Sequence, residues 1–368
     1  MSLNGFHSLA TGNGTLQGGL FIKHMPSYYS TSQVARYLYR IGFFPAEDAT
    51  EAAIAAGKFP ITVENIERIV RLHMCTFPFE NIPMHYTSKH MVDVDPQKVF
   101  TRLLDEGKGS YCFGQNTVLL GILRGLGYRA YNAAARVNLE QTTTPKEFTS
   151  LTHLVVLVQP FADSNITYLA DVGFGPGVTR PVLLSDAKDN IVTGISASER
   201  FRLTKREDLR SSLACNGVAK QDWTLEVQHL KGNDSDPATS PWTPHYMFFE
   251  QEFYSPDILD GSFTIWARPS GIFWSNVVAV MHFLLDEENK MIFHPSREEK
   301  SKRDIIQRDL GRVVLWGSQL KYIIGPHSEA KELKTELERV EVLRDIFGIM
   351  VKDEDIQFIQ GRQAALGT

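Results

Sequence analysis

From about residue 30 the apolar positions of the chain recur at helical spacing. Ser32 is placed to cap a helix carrying Val34, Ala35, Leu38, Tyr39 and Ile41, which Gly42 and Pro45 end. Thr62-Val63-Glu64 opens a second helix with Ile66, Ile69, Val70 and Leu72 on one face. Cys75 falls in that apolar pattern and reads as core, and His73 reads as a partly exposed helix residue rather than a ligand. Phe77 to Pro83 breaks the helix, and Pro96 to Glu106 forms a third. A fourth carries Thr117, Val118, Leu119, Leu120, Ile122 and Leu123 until Gly125 and Gly127 stop it.

After Gly127 the period changes to two. Tyr128–Val137, Thr152–Val158, Ile166–Val172, Arg180–Leu184, Arg202–Leu203 and Asp222–Leu230 read as strands of an antiparallel sandwich or barrel. Gly232 to Pro241 is polar and linker-like. Beyond it come apolar runs at Tyr246–Tyr254 and Val277–Leu285, then a charged helix over about Ser328–Phe347. In that helix Leu333, Leu337, Val340, Leu343 and Phe347 share a face. The expected fold class is therefore α+β. Residues 27–127 are expected to form a helical bundle, 128–240 the antiparallel sandwich or barrel, and 241–368 a last domain with a C-terminal helix. Residues 1–26 are rich in Gly, Ser, Thr and Asn without periodicity or a signal-peptide pattern. They are expected to be a disordered tail or a foreign leader, with the native start near Met25.

Composition removes several function classes. The chain has 368 residues, is 43% hydrophobic and 22% charged, and carries a net charge of −5, so nothing favours nucleic acid or an anionic membrane surface. No apolar run approaches the ~20 residues of a membrane span. Cys75, Cys112 and Cys215 are too few for a disulfide framework and suit a reducing, cytoplasmic setting. Neither a CxxC pair nor an HExxH segment is present, so no metal site is expected.

Candidate chemistry centres on Gly109-Ser110-Tyr111-Cys112-Phe113-Gly114-Gln115-Asn116. It places Cys112 in the first turn of the fourth helix, where unpaired backbone N–H groups favour an anionic thiolate nucleophile. The competing reading is an inert core cysteine. A nucleophile needs a base, and the base an orienting group. If Thr152–Val158 and Ile166–Val172 form a hairpin centred on Ala162, His153 lies opposite Asp171 and Val155 opposite Leu169. The carboxylate could then accept the imidazole Nδ1–H. A two-residue slip would offset the pair.

At these residues the sequence resembles the arylamine N-acetyltransferase family. Pro78-Phe79-Glu80-Asn81, Lys108-Gly109-Ser110-Tyr111-Cys112, His153 at a strand start and Asp171-Val172-Gly173-Phe174-Gly175 follow that family's pattern in order and rough spacing. Pro269-Ser270-Gly271-Ile272-Phe273 with Asn276, and Val340 to Ile349, resemble two later segments, so the resemblance spans about residues 28–350. The overall flavour is that of fungal members. The resemblance implies a helical bundle, a β-barrel and an α/β lid around a cysteine-protease-like core. It implies ping-pong acyl transfer from a CoA thioester to an arylamine, arylhydrazine or N-hydroxyarylamine. Acetyl-CoA is the leading donor and malonyl-CoA a second, with no tightly bound cofactor, and the biological role is detoxification. Cys112 would carry the acyl group, His153 the proton, and Asp171 would orient the ring. Phe79, Phe174 and Phe273 would wall an aryl pocket, Thr149, Ser150 and Ser270 would touch CoA, and Glu80 would pair with the basic residue at 108.

Three positions depart from the pattern. Lys108 replaces an arginine, Ser110 a glycine, and Gly114 stands where many members have Glu. The loss of a carboxylate at 114 is expected to ease entry of an acidic acyl group such as malonyl. Two alternatives stay open. One is another Cys-His-Asp enzyme, a cysteine hydrolase or a transglutaminase-like protein. The other is a catalytically weak relative that binds small aromatic molecules.

Overall fold

The computed structural model describes residues 14–232 and 235–367. Its helical part contains Thr31–Ile41, Glu51–Ala55, Val63–Met74, Pro96–Leu104 and Cys112–Gly125. The first of these starts at Ser30, not Ser32. Ser30 Oγ accepts from the Gln33 N–H while the Gln33 side chain returns to the Ser30 N–H, a reciprocal cap that only this register completes. Thr62 caps Val63–Met74 as its position suggests. Cys112–Gly125 is buried all the way from Cys112 to Leu123, as a helix apolar on every face must be.

Eight antiparallel strands form a barrel-like sheet. Their order is Val182–Leu183, Tyr168–Ala170, His153–Gln159, Arg129–Val137, Thr243–Glu252, Gln221–His229, Glu199–Glu207 and Ile191–Thr193. Thr243–Glu252 sits between Arg129–Val137 and Gln221–His229, so the barrel runs past the expected boundary at 240. The polar stretch before it is an excursion within the sheet, not a link between domains. Residues 14–26 also depart from expectation. Thr15 bridges to Ile166, the Thr167 N–H donates to the Gly14 carbonyl, and Leu16 and Ile22 are buried. Any tail confined to residues 1–13 lies outside the described residues.

A second sheet orders Phe79–Glu80, Val278–Leu285, Leu310–Trp316, Gln319–Ile324 and His327–Glu332, with Met291–Ile292 on Val278–Leu285. The expected helix over 328–347 is divided. Its first part is the exposed edge strand His327–Glu332, and its second is the helix Glu336–Asp345, which starts where Thr335 and Glu338 cap each other. Leu333, Val340, Leu343 and Phe347 are buried against this sheet, whereas Leu337 is exposed. The helix Ser255–Ala267 and the strands Leu310–Trp316 and Gln319–Ile324 have no counterpart in the sequence reading.

The hairpin that matters for chemistry has slipped. Val156, Leu157 and Val158 pair with Ala170, Leu169 and Tyr168. Its centre is Asp163, one residue beyond Ala162, while Ile166 and Thr167 are engaged by Thr15 and Gly14. Leu169 therefore faces Leu157 rather than Val155, and His153 meets Asp171 along a diagonal.

Candidate active site

Cys112 is the first residue of its helix, and Tyr111 before it offers no side-chain cap to the N–H groups of the first turn. Cys112 Sγ lies 3.5 Å from the Thr152 carbonyl, which brings it beside the residue that begins the strand His153–Gln159. His153 Nε2 is 2.8 Å from Asp171 Oδ2. Diagonal neighbours across a sheet lie within reach of a ring this long, so the register slip leaves the pair intact. The sequence reading had assigned Nδ1 to the carboxylate. In the structure Nε2 takes that partner, and Nδ1 remains for the thiol.

Asp171 is held on its other side. Oδ1 accepts from Asn116 Nδ2 and from the Gly173 N–H, both at 2.8 Å, and Asn116 Oδ1 in turn accepts from the Val172 N–H at 3.0 Å. Asn116 was missed in the sequence, although it lies four residues after Cys112 and so on the same helix face. Gly173 makes the close approach possible. A Cβ there would come within 2.7 Å of Cys112 Cα and 2.6 Å of Asn116 Nδ2.

Cys112, His153 and Asp171 are all buried. Burial would push the imidazolium of His153 down, but the Asp171 carboxylate reverses this, and hydrogen bonding to Asp171 and Cys112 adds to it, so its pKa stands at about 10. Burial likewise works against an ionised Asp171. The charge of His153 and the hydrogen bonds from His153, Asn116 and Gly173 outweigh it and hold Asp171 below the usual carboxylate value. The corner is thus built for a charged imidazolium against a charged carboxylate, with a thiol on the remaining ring nitrogen.

These groups open on a cavity of about 860 Å³ bounded by the cysteine helix, the barrel and the second sheet. Phe79, Phe174, Phe273, Thr149, Ser150 and Ser270 all line it. Phe174 stands edge-on to His153 at 5.3 Å between ring centres and stacks on His245 at 4.8 Å; Phe273 lies 5.9 Å from Phe79. The Thr149 hydroxyl is engaged within its own loop. It donates to the Ser150 carbonyl and accepts from the Val137 N–H and the Thr152 hydroxyl, which exhausts its capacity. Among the described residues, the charged groups on the cavity wall are Lys231, Arg268, Arg312 and Lys321 against the single carboxylate of Glu199. The cavity is therefore cationic in a chain of net charge −5.

Two expectations are corrected here and one position is explained. His73 is wholly buried, bridging the Tyr37 hydroxyl and Gln115 Oε1 at 2.8 Å each. Lys108 pairs with Glu106, and the guanidinium facing Glu80 belongs to Arg102. Finally, a side chain at Gly114 would run into Ser110 Oγ and Val99 rather than towards the cavity. The glycine at 114 thus reflects the room that Ser110 takes.

A thiol–imidazole–carboxylate corner at a helix start, open to a cationic cavity beside a barrel, is an arrangement suited to a cysteine nucleophile. A family profile described as N-acetyltransferase matches residues 62–356, and the chain belongs to the arylamine N-acetyltransferase family of acyltransferases. It is 25% identical over 342 residues to an N-malonyltransferase, FDB2, of Gibberella moniliformis, covering 90% of this chain and 89% of that protein. It is 26% identical over 229 residues to an arylamine N-acetyltransferase of Escherichia coli, covering 62% and 69%. The arylamine N-acetyltransferase of Mycobacterium abscessus superposes with a TM-score of 0.65 at 23% identity, over 90% of this chain and 95% of that one. That of Mycobacterium marinum, solved in complex with CoA, superposes with a TM-score of 0.61 at 22% identity over 90% and 96%.

Proposed function

We propose that the chain transfers an acyl group from a CoA thioester to the nitrogen of an arylamine, arylhydrazine or N-hydroxyarylamine, through an acyl-Cys112 intermediate. The observation that carries this reading is the 2.8 Å contact of His153 with Asp171 beside the Cys112 thiol, in a cavity walled by aromatic rings and cations. In the first half-reaction the Cys112 thiolate attacks the thioester carbonyl carbon. The carbon–sulfur bond to CoA breaks, and the departing sulfur takes the proton from His153. In the second, the amine nitrogen attacks the acyl-cysteine and passes its proton to His153, and Cys112 leaves as thiolate. Asp171 keeps the ring oriented throughout and stabilises its protonated form before the first transfer and after the second, the ring being neutral in the acyl-enzyme between them, and no step needs a metal. Backbone N–H groups of the first helical turn are suited to receive the carbonyl oxygen as it gains charge.

Phe79, Phe174 and Phe273 serve this reading as the aryl walls, and Ser150 and Ser270 as polar contacts near the mouth. Thr149 acts by shaping its loop. The cationic wall supports a polyanionic donor such as CoA. The wall and the similarity to a fungal N-malonyltransferase together favour malonyl-CoA over acetyl-CoA as donor, reversing the order set by the sequence. Intact mass after mixing with each donor is the test. A malonyl adduct that forms faster than an acetyl adduct, disappears on adding an aniline and is absent in Cys112→Ala is the expected outcome. An acetyl adduct alone overturns the donor choice, and no adduct with any acyl-CoA overturns the function.

A further inference from the structure

We propose that Arg102, on the helix before the cysteine loop, is a positioning residue for Cys112, and that it has taken over the charge role the family resemblance assigns to position 108. The inference rests on the acyl-cysteine reading, but it concerns the construction of the nucleophile loop. Glu80 is completely buried, and its carboxylate binds the loop that leads into Cys112. Glu80 Oε2 accepts from the Ile82 N–H at 2.5 Å, and the carboxylate also takes a backbone hydrogen bond from Gly109. The Glu80 N–H donates to the Ser110 carbonyl at 3.0 Å, and Phe79 bridges in parallel to Ser110. Gly109 is pressed so closely against this strand that a Cβ would fall 1.8 Å from the Pro78 carbonyl oxygen. The strand Phe79–Glu80 is thus a clamp on residues 109 and 110, two residues short of the thiol.

A buried carboxylate holds such a clamp only while it stays ionised and accepts hydrogen bonds, and that needs a cation nearby. Lys108 is the nearest basic residue in sequence, but its Nζ pairs with Glu106 at 2.9 Å on the surface. Arg102 is the ion-pair partner of Glu80, with Nε 4.0 Å from Glu80 Oε1 and its side chain 11% exposed. Glu80 Oε1 and Arg102 Nη2 are both buried and have no hydrogen-bond partner among the described residues; burial raises the Glu80 carboxyl, and of the groups that oppose this the Arg102 charge acts most strongly, ahead of Lys108. The guanidinium therefore enters from the helix Pro96–Leu104, six residues earlier than the resemblance places it. This explains how the chain keeps the clamp with lysine at 108.

The test is the rate of iodoacetamide alkylation at Cys112, followed by peptide mass, in Arg102→Gln, Lys108→Ala, and Arg102→Gln combined with Lys108→Arg. Alkylation needs no acyl donor, so a failure of acyl transfer alone counts against the function and not against Arg102. Arg102→Gln is expected to slow alkylation about tenfold, roughly the effect of leaving a buried charge uncompensated beside a loop. Lys108→Ala is expected to stay within about twofold. Lys108→Arg, returning a guanidinium to the loop, is expected to restore most of the rate in the Arg102→Gln background. A merely structural arginine would not be rescued from another site. Wild-type alkylation in Arg102→Gln, equal losses in Lys108→Ala, or no recovery in the double variant overturns the proposal. If Arg102→Gln does not fold, a folded and reactive double variant supports it, and a double variant that also fails to fold overturns it.

Discussion

Cys112, His153 and Asp171 are buried, with Asp171 held by hydrogen bonds to His153, Asn116 and Gly173, while Arg268 and Ser270, on the wall of the same cavity, are exposed. The two walls have different sources. The reactive corner is made where a helix start, a strand start and a glycine turn meet at van der Waals distance. The exposed wall comes from loops and from strands of the second sheet. A buried network tolerates little change, because removing one member leaves a buried charge or N–H unpaired. An exposed wall can change residues at small energetic cost, and so can set which donor or acceptor is preferred. Under the proposed function the chemistry belongs to the buried wall and the selectivity to the exposed one.

The largest effects should come from the buried wall. Cys112→Ala should abolish the acyl adduct in intact-mass measurements, and Asp171→Asn should slow acylation about a thousandfold by releasing the ring. An Asp171→Asn enzyme within tenfold of wild type would break the contrast at its strongest point. Asn116→Ala should cost about 2 kcal/mol in thermal or denaturant unfolding, because it strips Asp171 Oδ1 and the Val172 N–H of partners. A neutral result would show that the network does not hold Asp171.

The ion pair also predicts a pH dependence. The raised pKa of His153 contributes stability in full below the free imidazole value of about 6.5 and loses it as pH rises through about 10. The gap in thermal midpoint between wild type and Asp171→Asn should therefore narrow between those values, and a constant gap would argue against a charged pair. Gly114→Ala should destabilise by about 1–3 kcal/mol through its clash with Ser110, and Ser110→Gly should relieve most of that. Without relief, the space at 114 has another cause. Ser270→Ala, on the exposed wall, should change the apparent donor affinity by no more than about threefold, as read from initial rates against donor concentration. A loss comparable to Asn116→Ala would erase the distinction between the walls.

The amino-acid order by itself determined the elements that carry the corner. Cys112 begins an apolar helix, His153 begins a strand of unbroken hydrophobic residues, and Asp171 precedes the Gly173 turn, because local periodicity and turn chemistry act over a few residues. What lay beyond it was set by contacts between distant segments. Residues 14 and 15 occupy Thr167 and Ile166, and the hairpin register sits two residues from the local expectation. The strand Thr243–Glu252 joins the barrel across a polar stretch that locally resembles a linker. Arg102, not its sequence neighbour Lys108, reaches Glu80, because helix packing decides which side chain faces a buried charge. Periodicity names which face of an element is apolar. Only the packed structure decides which partner that face meets.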